Sequence, residues 1–160
     1  MSEHATHHAG SQVHVQAGDQ IPALVMPDAE FLEAFERGGF PGDAFPHRAH
    51  LRMAWLYVTT LGPEQAIPKA ADGIRNLARN SGLTTLYHDT ITRAWVYVVA
   101  TAVGHSSSTT FDGFIEEHPR LLDKQLLLEH YTKDSLAGPE ARAAWVAPDR
   151  RPIPGAPESA

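Results

Sequence analysis

The chain has 160 residues, 42% of them hydrophobic and 20% charged, with a formal net charge of −6 at pH 7. That length supports one domain with a real core, and the acidic balance supplies no basic stripe to neutralise phosphates, which argues against a nucleic-acid partner. The absence of cysteine excludes disulfides, thiolate metal ligands and thiol nucleophiles.

Residues 1–26 carry His4, His7, His8 and His14 in a polar segment without helical period, and read as a flexible tail. The folded domain is expected over residues 27–154. Its first helix opens at Asp28, a suitable N-cap after Pro27; Phe31, Leu32 and Phe35 form its apolar stripe, and Gly38–Gly39 ends it. A second helix starts after Pro46, in FPHRAHLRMAWLY, and runs until Gly62. His50, Ala54 and Tyr57 share one of its faces, with Leu51, Trp55 and Val58 alongside. Next comes GPEQAIPKAADGIRNLARNSG, where Pro63 suits a first turn. Pro68 leaves either two short pieces or a start near Ile67.

The segment TTLYHDTITRAWVYVVATAVG is rich in β-branched residues, yet its length and the spacing of Trp95, Val98, Val99 and Ala102 favour a buried helix. Its apolar run, AWVYVVATAVG, is far shorter than the roughly 20 residues a bilayer span needs. No export signal opens the chain, so a cytoplasmic location without membrane contact is expected. A serine-rich loop then leads to a short helix capped by Thr109 or Thr110 and stopped at Pro119. RLLDKQLLLEHYT and GPEARAAWV supply two more helices, and APDRRPIPGAPESA is a proline-rich tail laid over the surface that frays over residues 155–160. The expected fold is all-α: a single bundle of five to seven helices.

His47 and His50 stand three residues apart, which puts both imidazoles on one side of one helical turn. Neutral imidazole is the commonest metal ligand, but a site needs three or four. His88 is the best third ligand, because it opens the other strongly apolar helix and antiparallel order returns that start to the same end. His130, with Glu129 beside it, is the fourth candidate. Such a set predicts one mononuclear divalent metal, with Fe, Cu and Zn all compatible with all-nitrogen ligation. In this scheme Arg52 positions an anionic substrate, and Tyr87 or Asp89 handles protons. The bland alternative is that each histidine caps or packs on its own, and that the three tryptophans, Trp55, Trp95 and Trp145, belong to the core.

The doublet His88-Asp89 resembles the centre of the helical HD phosphohydrolases, although the usual following glycine is absent; Asp123 and Asp134 are candidates for the later aspartate. Taken together, FPHRAHLRMAWLYV, YHDTITRAWVYV, LLDKQLLLEHYT and ARAAWVAPDRRPIP resemble a family of small helical bacterial proteins over residues 28–154. That resemblance implies that the N-terminal tail lies outside the shared domain, and it carries no activity, substrate or cofactor.

Two classes of function follow. One is a histidine-ligated metalloenzyme acting on a small anionic substrate, by oxidation with Fe or Cu and by hydrolysis or hydration with Zn. The other is a non-catalytic helical module that binds a ligand or partner and whose histidines are structural. The sequence leaves a homodimer open.

Overall fold

The computed structural model describes residues 21–83 and 87–158, and every regular element among them is helical. The expectations placed on residues 1–20 lie outside the described residues. The helices are α1 (Pro22–Val25), α2 (Asp28–Glu36), α3 (His47–Leu61), α4 (Pro63–Asn80), α5 (Asp89–Val103), α6 (Phe111–Glu117), α7 (Lys133–Ala137) and α8 (Pro139–Ala143). Short 3-10 turns occupy Gly42–Ala44, Pro119–Leu122 and Lys124–Glu129. None of the described helices is long and apolar enough to cross a membrane.

The central layer is α3, α4 and α5, which pack on one another. Helix α3 buries nearly every side chain from Ala49 to Val58, because α1, α4, α5, α6 and the Pro119–Leu122 turn cover different sides of it. Gly62 ends α3 with φ +85°, a left-handed conformation that a side chain would strain, and Pro63 starts α4 immediately afterwards. Helix α4 is continuous through Pro68. The proline lies on the exposed side, so the carbonyl it leaves without a helical donor can be solvated rather than orphaned in the core.

Two boundaries differ from the sequence reading. Residues 21–26 belong to the fold: α1 buries Ala23 completely. The reason is Arg52 of α3. Its guanidinium donates to Ala23 O at 3.2 Å and to Met26 O, pairs with Asp28 at 2.9 Å, and lies 4.4 Å over the Phe31 ring. One buried cation thereby caps α1 and ties it to α2. At the other end, Ile153 is 3% exposed and Trp145 Nε1 donates to Pro157 O at 3.2 Å, so packing extends through the proline-rich segment.

The region expected to be one helix over 120–132 is instead two 3-10 turns. The Asp123 carboxylate accepts from Gln125 N at 2.9 Å, a local turn that competes with helix continuation. Helix α7 then starts from Thr132, whose hydroxyl accepts from Ser135 N. The last helix stops at Ala143, and Trp145 and Val146 leave it in extended chain.

Candidate functional site

A cavity of about 560 Å³ opens between α3 and α5. Its floor is Met53 and Ala54 of α3, Ile74 of α4, and Ile91 and Val96 of α5. The roof is the segment 124–136, which contributes Leu127, Leu128 and Leu136. Phe45 and Trp95 wall its sides. His47, His50 and His88 all line it, as do Lys124, Gln125 and Lys133. No Asp or Glu does. Trp55 is a core residue at 6% exposure, whereas Trp95 is a partly buried wall of this cavity, its ring edge-on to His47 at 4.7 Å.

The histidines hold the roof in place. His47 Nε2 donates to Leu121 O at 2.9 Å, which fastens the start of α3 to the turn that leads into the roof. His88 Nε2 donates to Leu136 O at 2.7 Å, which fastens the roof's far end to the start of α5. The other His88 nitrogen, Nδ1, accepts from Ile91 N at 3.1 Å and is the N-cap of α5. Both His88 nitrogens are therefore spent, so it has no lone pair to give a metal in this arrangement. The side chains of the next two residues, Asp89 and Thr90, serve elsewhere.

His50 differs from these two. Its Nδ1 contacts Pro46 O at 3.2 Å, and its ring stands edge-on to Phe45 at 4.8 Å. Burial lowers its pKa from 6.5 to about 4; the Pro46 carbonyl opposes that fall, and the charges of His47 and Lys124 reinforce it. Burial likewise lowers the pKa of His47, against the pull of the Leu121 carbonyl. His50 is neutral at pH 7 and, since a carbonyl can only accept, the proton sits on Nδ1.

The remaining expected residues are placed away from the cavity lining. Arg52 holds α1, as described. Asp89, 2% exposed, accepts from Tyr87 Oη at 2.8 Å, from Arg93 Nε at 2.7 Å and from Arg75 at 3.4 Å. Burial, together with the bond to Asp89, pushes the Tyr87 phenol up to about 12, out of range for proton transfer near neutrality. His130 Nδ1 bonds to Arg151 O at 2.8 Å and secures the C-terminal segment. Among the described residues no three His, Asp or Glu side chains are grouped as a metal ion requires. The HD-like doublet is likewise spent on a helix cap and an arginine–tyrosine cluster. The residues missed by sequence reasoning are Lys124 and Lys133, which form no ion pair among the described residues; each has an aspartate beside it in the chain, Asp123 and Asp134, so no sequence signal marks it as facing a cavity.

Compared with family models, curated proteins and solved structures, the chain shows no match.

The His50 shift makes stability depend on pH in a definite direction. An unfolded chain protonates this imidazole near pH 6.5, whereas the folded chain does so only near 4. The unfolded state binds more protons between those values, so stability that is complete above about pH 6.5 is lost as pH falls. Urea unfolding should show His50 accounting for about 1–3 kcal/mol between about pH 7 and 4. His50→Gln should give a shallower profile; a profile parallel to wild type would refute this assignment.

Proposed function

We propose that the protein binds a small organic anion with an apolar body, held in the cavity between α3 and α5. The observation that carries this reading is the charge of the lining. In a chain of net charge −6, the charged residues that line the cavity are Lys124 and Lys133, and no carboxylate lines it; the adjoining Asp123 and Asp134 lie outside the lining. Its volume falls in the range of small-molecule sites, which are typically apolar with a few placed polar groups. Leu, Ile, Val, Met, Phe and Trp side chains supply the apolar surface, and the two lysines of the lining supply the anchor for an acid head group. This reading fits the module whose histidines are structural, because His47 and His88 each donate to a backbone carbonyl at one end of the roof.

Isothermal titration with octanoate and with 1-octanol tests it. Octanoate should bind the wild type, and its affinity should fall about tenfold in a Lys124→Met/Lys133→Met variant, as expected for losing charge-assisted contacts worth about 1.5 kcal/mol. The same affinity should weaken with added salt, whereas 1-octanol should respond to neither change. Octanoate binding that ignores both lysines would sink the proposal, as would no binding at all.

A further inference from the structure

The cavity pairs its cations with a hydrogen-bond acceptor that the protein itself does not use. His50 Nδ1 is committed to Pro46 O, which fixes the proton there and leaves Nε2 as a bare lone pair at the ring's distal end. No protein donor reaches Nε2. Among the described residues, the buried side-chain nitrogen or oxygen without a hydrogen-bond partner is His118 Nε2, so His50 Nε2 is not sealed off. The ring lines the cavity, and its edge contact with Phe45 holds its orientation. Two neighbouring polar side chains are already engaged: Thr92 Oγ1 donates to His88 O at 2.9 Å, and both His88 nitrogens are occupied.

A simple carboxylate would satisfy the lysines but not this nitrogen, because its oxygens only accept. An unpaired acceptor facing a bound ligand loses its hydration without compensation, which is the usual basis for rejecting an analogue that lacks a hydroxyl. The group that meets His50 must donate, and a cationic donor is disfavoured beside Lys124, whose charge already acts on both His47 and His50. A neutral hydroxyl fits. Because Lys124 lies near His50, the hydroxyl belongs close to the acid group along the ligand.

We infer that the preferred ligand is a hydroxy acid, its carboxylate at Lys124 and Lys133, its hydroxyl donating to His50 Nε2, and its hydrocarbon chain along the Trp95 wall. This rests on the anion-binding reading and names the ligand class and the residue that selects it.

The test is a matched pair of ligands, octanoate and 3-hydroxyoctanoate, titrated calorimetrically against wild type, His50→Phe and His50→Gln. Phenylalanine keeps a ring against Phe45 but removes the acceptor; glutamine restores an acceptor oxygen. The wild type should prefer the hydroxy acid about tenfold, the size of one neutral hydrogen bond that would otherwise be missing. That ratio should fall to about one in His50→Phe and recover in part in His50→Gln. Equal wild-type affinities, or a preference that survives in His50→Phe, would overturn the inference and leave the anion site standing. Failure of both acids to bind the wild type would overturn the anion site and this inference with it. Should His50→Phe not fold, the wild-type ratio still decides.

Discussion

Thr90→Val should destabilise the protein by about 1–3 kcal/mol, through the loss of two part-buried hydrogen bonds to the backbone. Thr90 is fully buried in the first turn of α5. Its hydroxyl donates to Ala144 O at 2.8 Å and accepts from Val146 N at 3.0 Å. That hydroxyl is the point where the extended segment after α8 is stitched to the central layer. Valine matches threonine in shape, so the loss isolates the two hydrogen bonds from packing. Thr90→Ser keeps the hydroxyl and should cost much less. Trp145 lies between the two backbone partners, so its near-ultraviolet dichroism should change in the valine variant. Equal unfolding midpoints for the valine and serine variants would show that these bonds contribute little.

Gly73→Val should cost about 3 kcal/mol, although glycine is normally a poor residue inside a helix. Gly73 lies in the buried face of α4, and the Phe35 ring of α2 rests directly on its backbone. A Cβ at this position would come within 2.1 Å of that ring. Phe35 is itself fully buried and stacked on Phe45, so it has little freedom to retreat. The double-mutant cycle decides the cause. In a Phe35→Ala background the valine should be nearly neutral, because the space it needs has been vacated. A penalty that persists in that background would place the strain elsewhere in α4.

The helical framework was legible in the sequence because its punctuation is local. Pro46 and Gly62 bracket α3, Pro63 opens α4 and Thr110 caps α6, each through a bond or a backbone angle within a few residues. The roof was misread for an equally local reason, the Asp123 turn, which leaves only a mild composition signal. The histidines are different in kind. His47 and His88 were recognisable as residues at one end of the bundle, yet their partners are the carbonyls of Leu121 and Leu136, 74 and 48 residues away. Backbone acceptors carry no sequence signature, so the spacing that suggests ligands is equally the spacing of clamps. Arg52 shows the same limit: its role is set by the carbonyls of Ala23 and Met26, in a stretch that composition assigned to a tail.

The segment after α8 has a consequence for how the protein is made. Tyr131, within the roof, is held through Val146 O at 2.7 Å, and Thr132 through Asp149. Arg150 N bonds to His130 O, and Trp145 is anchored by Pro157. During synthesis, α3, α4 and α5 can assemble from neighbouring sequence as they leave the ribosome, but the roof has only its His47 and His88 clamps until residues through Pro157 have followed. The apolar floor is thus uncovered in the growing chain and closes last. A nascent polypeptide would expose Met53, Ile91 and Val96 to chaperones for that interval.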